Sequence, residues 1–324
     1  MVPVITLDTI SFIGQGLSRP ECVLATRRGD LYTADWRGGV AHLRPDGTQA
    51  LYAGTTNDLP EGARPNGIAL DRDGTFLFAN LGSEIGGLWR IDRQGQIRPV
   101  LTEIDGTSIP PSNFILRDRE ERQWLTVSTR LKPRSLDYRR SAKTGFIVLI
   151  DKRGARIVAD GLGFTNECLV DPTGRWLYVN ETYARRMARF PLAAGGDLGA
   201  KEIVCEFGHG QYPDGMAFDT DGRLWVTSVI SNQLIRVDPA TGAMDVMLED
   251  SDADHVAWVE EAYRTDALDR PHMDTMRSKR LRNISSIAFG GPDLRTGYLG
   301  CLLGDAIAVT RLPAAGVPPV HWDE

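Results

Sequence analysis

One unit of sequence returns six times along these 324 residues, and nothing else about the chain narrows its fold as much. Each copy has a polar residue, an apolar run, a D-x-x-G-type turn and a second apolar run. A third run follows and ends near another turn. PNGIALDRDGTFLFANL, TNECLVDPTGRWLYVNET and PDGMAFDTDGRLWVTSV are three of the copies. The runs are short and rich in Val, Ile, Leu, Phe, Tyr and Trp, and Gly, Asp, Asn or Pro bound them, as strand signals require. Asp73-Gly74 and Asp221-Gly222 mark hairpins, and Asp171 to Gly174 is their equivalent. The equivalent polar positions are 21, 66, 113, 166, 214 and 285. Units of roughly 40–50 residues with about four strands each are the mark of a propeller. The expected fold is therefore all-β, a six-bladed β-propeller forming a single domain over 1–324. The 34 glycines and 18 prolines, spread along the whole chain, suit many short strands and argue against long helices.

The spacing from 214 to 285 is longer than the others and contains an insertion, about 252–282, without strand character. Val256, Val259, Ala262 and Tyr263 recur at helical spacing. Asp252 or Asp254 would cap that helix, and Pro271 is expected to end it. A helical insertion thus precedes the last blade, either as a lid near the site or as a surface decoration.

Lys and Arg total 37 against 43 Asp and Glu, a formal net charge of −6, which argues against a nucleic-acid partner. The densest basic stretches, Arg130 to Lys143 and Arg277 to Arg282, read as solvated loops. No apolar run approaches the ~18 residues of a membrane span, and the opening residues lack the pattern of a secretory leader. Cys22, Cys168, Cys205 and Cys301 form neither a C-x-x-C pair nor a zinc spacing, so reduced thiols in a cytoplasmic protein are expected. The sequons at Asn180 and Asn283 should then be silent. Oligomeric state is not readable.

Aligned on the first strand of each unit, one column reads Glu21, Asn66, Asn113, Asn166, Asp214, Ser285. The first strand of each blade lines the central channel, so these six residues converge at its mouth. Asn and Asp are common turn residues, which explains any one position better than all six. Two carboxylates close together need a counter-charge, and Glu21 with Asp214 offsets a divalent cation. Oxygen donors suit Ca²⁺ or Mg²⁺, and no His or Cys joins the column. Calcium is the expected ion, with magnesium, manganese and zinc as alternatives. The other reading is a polar channel lining without a metal.

These residues, in this order, resemble the SMP-30/gluconolactonase/LRE-like family over nearly the whole chain. Its most specific pieces here are Arg19-Pro-Glu21, Thr165-Asn166, Tyr212-Pro-Asp-Gly215 and Ser285-Ser-Ile-Ala-Phe-Gly-Gly-Pro-Asp-Leu294. The resemblance implies a metal-dependent lactone hydrolase with Glu21, Asn166 and Asp214 as metal ligands. Asn113 would lie by the metal and touch substrate. Sugar-lactone members often carry an arginine two residues before that asparagine and an aspartate just after it. Pro111 and Phe114 stand there instead, which points to a smaller or more apolar lactone. Arg130 is a candidate replacement donor.

Asp214 is the favoured general base, because one carboxylate oxygen can hold the metal while the other takes the proton. His209, on the loop leading to it, is the rival. The second strands return to the same face and end in an outer ring of Asp35, Asn80, Thr129, Glu181 and Ser228. Asn66, Glu181 and Ser285 are expected to support the ligands from behind. Phe114, Tyr183 and Tyr212 are candidate pocket walls. No G-x-S-x-G, H-E-x-x-H or P-loop motif occurs. Two alternatives stay open: a phosphotriesterase-like hydrolase on the same metal platform, and a non-catalytic, calcium-stabilised binding or regulatory propeller.

Overall fold

The turn aspartates explain why each repeat folds back on itself. The Asp171 carboxylate accepts hydrogen bonds from the backbone N–H groups of Thr173, Arg175 and Trp176, closing the first hairpin of its repeat. Asp118 and Asp219 do the same, and each also accepts the indole N–H of a buried tryptophan, Trp124 at 2.8 Å and Trp225 at 2.9 Å. A polar turn and an apolar strand are thereby tied by one side chain.

The computed structural model describes residues 5–324; residues 1–4, the start of the segment read for a leader, lie outside the described residues. Six four-stranded antiparallel sheets follow one another, as the repeats predicted. Blade 1 is Val23–Ala25, Leu31–Asp35, Gly39–Leu43 and Gln49–Ala53. Blade 2 is Pro65–Leu70, Phe76–Asn80, Leu88–Ile91 and Ile97–Leu101. Blade 3 is Phe114–Arg117, Gln123–Val127, Gly145–Asp151 and Gly154–Leu162. Blade 4 is Thr165–Val170, Trp176–Glu181, Arg186–Pro191 and Glu202–Glu206. Blade 5 is Gln211–Phe218, Leu224–Ile230, Gln233–Val237 and Met244–Glu249. Blade 6 is Ile284–Gly290, Thr296–Cys301 and Ile307–Arg311, completed on its outer edge by Ser11–Ile13. In that last pairing Ser11 lies opposite Val309, which joins the two ends of the chain and closes the ring.

The core sits between blades. Phe76, Phe78 and Trp89 of blade 2 pack with Tyr32 and Val40 of blade 1, and Trp124 and Leu149 of blade 3 pack with Leu177 and Phe190 of blade 4. Equivalent clusters join the other neighbouring pairs. No blade buries its own faces alone, which is the physical reason for the repetition.

The insertion forms two helices, α1 (Ala253–Arg264) and α2 (Arg270–Asp274). Asp252 caps α1 by accepting from the His255 N–H at 2.8 Å. Pro271 does not end the first helix as expected. It sits in the first turn of α2, where its missing N–H costs nothing, behind a capping box formed by Asp269 and His272. At the opposite end of the channel the C-terminal segment crosses beneath the inner strands. It encloses a cavity of about 290 Å³ between Cys22, Phe114 and Glu167 above and Val317 to His321 below. Four buried cysteines carry free thiols. No helix is long and apolar enough to cross a membrane.

Candidate metal and substrate site at the channel mouth

The six-residue column meets at one end of the channel, and local irregularity aims it there. The pairing of first and second strands shifts register between Pro65 and Ile68, Thr165 and Cys168, Pro213 and Met216, and Ile284 and Ser286. Each shift falls on or beside a column residue. A bulge turns a strand and re-aims its side chains. The blades also need close approach there: a Cβ on Gly67 would lie 2.6 Å from the Phe114 Cα, and one on Gly215 2.5 Å from the Ser285 carbonyl oxygen.

Glu21 accepts from the Arg19 guanidinium at 2.9 Å and from the Asn66 amide at 2.7 Å. That amide also donates to the Asn113 carbonyl at 2.9 Å. Ser285 Oγ donates to the Glu21 carbonyl at 3.0 Å, tying blade 6 to blade 1. The Asn166 amide donates to Thr182 Oγ1 at 2.9 Å, and the Thr182 hydroxyl in turn donates to the Pro213 carbonyl at 2.9 Å. All six column residues are buried. Two amide oxygens, Asn66 Oδ1 and Asn113 Oδ1, are enclosed without any hydrogen-bond partner.

A third carboxylate, Glu167, is buried near Glu21 and Asp214 but lines the enclosed channel cavity beneath them. Glu167 follows Asn166 in the inner strand, where strict alternation would send it to the other face, and the bulge brings it to the channel. Its Oε2 accepts from the Met216 N–H at 3.0 Å. Burial, with the Glu21 charge, pushes its carboxyl up to about 8. Burial foremost, then Glu21 and Glu167, holds the Asp214 carboxyl well above the usual range, against opposition from Arg19 and a hydrogen bond from Asn166. Crowded carboxylates with only the Arg19 guanidinium set against them, beside two amide oxygens lacking donors, fit a hard divalent cation held by oxygen. Among the described residues no three His, Cys, Asp or Glu side chains gather as a metal cluster, so the amide oxygens would have to complete the shell.

Other expected residues fall elsewhere. Phe114 packs between blades beneath the ring and lines the enclosed channel cavity, not the mouth. Arg130 turns outward along its own blade, paired with Asp160 at 2.7 Å and stacked on Phe146. Glu181 is fully buried and held by Arg186 of the third strand and by Lys201 just before the fourth. Asp35, Asn80, Thr129 and Ser228 are likewise occupied with nearby loops: Asp35 binds Arg37, and Ser228 accepts from the Tyr212 N–H. His209 is largely exposed, 3.5 Å from Glu260.

Tyr183 and Tyr212 are buried members of an aromatic cluster. Tyr183 stacks on Tyr138 with centroids 4.4 Å apart and meets Phe164 edge-on at 4.6 Å. The inserted helix α1 is built into this cluster. Tyr263 Oη donates to the Tyr183 carbonyl at 2.6 Å, Tyr212 Oη donates to Glu260, and Arg185 pairs with Glu260 while stacking on Tyr212 and Tyr263. The basic stretches are not simply solvated loops. Arg134 folds into the mouth beside Phe164, and Arg280 and Arg282 line a depression next to Arg19.

A closed six-bladed propeller with carboxylates and amides gathered at one channel mouth defines a class of architecture and site. Residues 133–259 of the chain match the SMP-30/Gluconolactonase/LRE-like region. A 6-deoxy-6-sulfogluconolactonase of Pseudomonas putida is 28% identical over 287 residues, 86% of this chain and 81% of that protein. A gluconolactonase of Xanthomonas campestris shares the fold with a TM-score of 0.68 at 18% identity, covering 97% of this chain and 95% of that one. Regucalcin of Agrobacterium tumefaciens, a calcium-binding protein, does so with a TM-score of 0.68 at 16% identity and 98% of each chain.

Proposed function

We propose that this protein is a metal-dependent lactonase that adds water to a small lactone and releases the hydroxy acid. The observation that carries this is the pair of enclosed, unpartnered amide oxygens of Asn66 and Asn113 beside the buried carboxylates of Glu21 and Asp214. The family match and the sulfogluconolactonase relative support the same chemistry. Glu21, Asn166, Asp214 and Asn113 would hold the cation, calcium being favoured by the all-oxygen donor set. When bound, the cation supplies positive charge that polarises an ester carbonyl and acidifies water.

The chain's own residues do the rest. Asp214 accepts the proton of the attacking water. The Asn113 amide N–H group orients the lactone oxygen. Asn66 keeps Glu21 fixed through the 2.7 Å hydrogen bond. The Tyr138–Tyr183 wall, pinned by α1, shields one side of the mouth from solvent. Water adds to the carbonyl carbon, the ring C–O bond breaks, and the departing alkoxide takes the proton.

A lactone panel assayed with calcium, and again after EDTA, tests this. Ring opening that EDTA abolishes and calcium restores is expected, and Asp214→Asn should lose turnover while staying folded. EDTA that lowers Tm in a protein opening no lactone would replace the hydrolase by a calcium-stabilised binding propeller. Wild-type turnover in Asp214→Asn would remove Asp214 as base.

A further inference from the structure

Arg134 is a cation without a counter-ion. It lies on the loop between the second and third strands of blade 3, and one N–H of its guanidinium donates to Ser128 Oγ at 2.9 Å. Among the described residues it has no other hydrogen bond and no ion-pair partner, and its Nε is enclosed with nothing to bind. An arginine presents five donors, so four are unused. The guanidinium sits 5.2 Å from the centroid of Phe164 and within electrostatic reach of Tyr138, Tyr183, Glu21 and Arg19, between the aromatic wall and the ring. Burial lowers its proton affinity, a sign that its charge is held at a cost.

The surroundings extend the same field. The depression next to Arg19 has a volume of about 880 Å³ and is lined by Trp36, Arg270, Lys279, Arg280 and Arg282, against Asp274 and Asp305. Asp274 is already paired with Arg270 at 2.7 Å. Arg280 and Arg282 donate only to backbone carbonyls, of Ile10 and of Ser278 and Leu281. In a chain of net charge −6, this basin is locally positive.

We propose that the mouth takes lactones bearing an anionic group, a carboxylate, sulfonate or phosphate, which Arg134 binds while the lactone carbonyl lies at the ring. This rests on the lactonase reading. A planar guanidinium with adjacent free N–H groups matches two oxygens of such an anion. A neutral hydroxyl would leave the charge unanswered. The basin of Lys279, Arg280 and Arg282 draws the anion toward the mouth.

The test uses the full chain with calcium and a set of δ-lactones that differ at one exocyclic carbon, carrying CH₂OH, COO⁻, CH₂SO₃⁻ or CH₂OPO₃²⁻. Wild type should show a KM at least tenfold lower for one or more anionic members than for the neutral one. That KM should rise with ionic strength, while the neutral KM stays flat. Arg134→Gln should erase the preference, and Arg134→Lys should restore part of it. The salt dependence needs no variant and stands if Arg134→Gln fails to fold. The ranking among the three anions identifies the group. Equal KM values for neutral and anionic lactones overturn the inference and leave the hydrolase intact. If no lactone is opened, calorimetry with the matching non-hydrolysable lactams decides. Tighter binding of an anionic lactam that Arg134→Gln abolishes upholds the anion site while the hydrolase fails. Indifference to charge ends both.

Discussion

Alanine at Gly215 asks whether the approach of two inner strands builds the ring. This glycine follows Asp214, and its backbone lies outside the left-handed region, so alanine carries no conformational penalty. All the cost must come from contact. The new methyl would stand 2.5 Å from the Ser285 carbonyl oxygen, 2.6 Å from the Ser286 Cα and 3.1 Å from Glu167 Oε1. Ordinary contact begins near 3.4 Å, so blade 5 must retreat from blade 6 by roughly 1 Å, and the nearest atoms are backbone that cannot rotate away. Overpacking costs about 1–3 kcal/mol, and the upper end is expected here. At ~2.1 cal/mol/K per residue, unfolding entropy for 324 residues is about 0.7 kcal/mol/K, so Tm should fall by about 4 °C. A 1 Å displacement of Asp214 should also lower kcat/KM about a hundredfold. Gly222→Ala is the control. Gly222 has φ +77° with open space around it, so alanine there costs about 1 kcal/mol of backbone strain and leaves turnover unchanged. Urea unfolding and thermal melts give stability, and a pH-stat gives turnover. If Gly215→Ala is no less stable than Gly222→Ala, close strand approach does not shape the mouth.

Two further outcomes follow from single contacts. Tyr263→Phe removes the donor to the Tyr183 carbonyl and leaves that oxygen unpaired, so stability should drop by about 1–2 kcal/mol; an unchanged urea midpoint would mean that α1 is not pinned to the wall by this bond. Burial, helped by the Arg117 charge, pushes the His321 imidazole down to about 4, so the folded protein keeps it neutral where the unfolded chain protonates it. Its contribution is present above pH 6.5 and is lost as pH falls toward 4, an effect of about 3 kcal/mol at most. Wild type should lose that much more stability than His321→Leu between pH 7 and pH 4, and equal losses would count against it.

The blades were legible because apolar runs and aspartate turns recur, and the column from Glu21 to Ser285 was legible because a polar residue preceding such a run is visible in one dimension. Asp252 as a cap was visible for the same local reason. Glu167 was hidden because a bulge breaks the alternation by which a strand's faces are counted. Phe114 was misplaced because Asn113, just ahead of the strand, turns to the ring while Phe114, the strand's first residue, faces the channel below. Arg130 and Arg134 belong to the same basic stretch, yet one turns to Asp160 and the other inward to Ser128. Loop paths of this kind depend on tertiary packing, and no periodicity records them. Pro271 read as a terminator because a proline in the first turn of a new helix carries the same local signal.

The strand Ser11–Ile13 has no repeat copy of its own, and its pairing with Ile307–Arg311 sets the order of events in biosynthesis. It leaves the ribosome before any of the six blades is complete and then waits for all six first strands before its partner is made. Until then blade 6 lacks its third strand, Ser11–Ile13 has nothing to pair with, and the ring is an open arc with apolar faces at both ends. A ribosome stalled before residue 307 would therefore hold an arc that has no clasp, however well its earlier blades had formed. Slowing translation just before residue 307 should aggravate aggregation more than slowing it within blade 1.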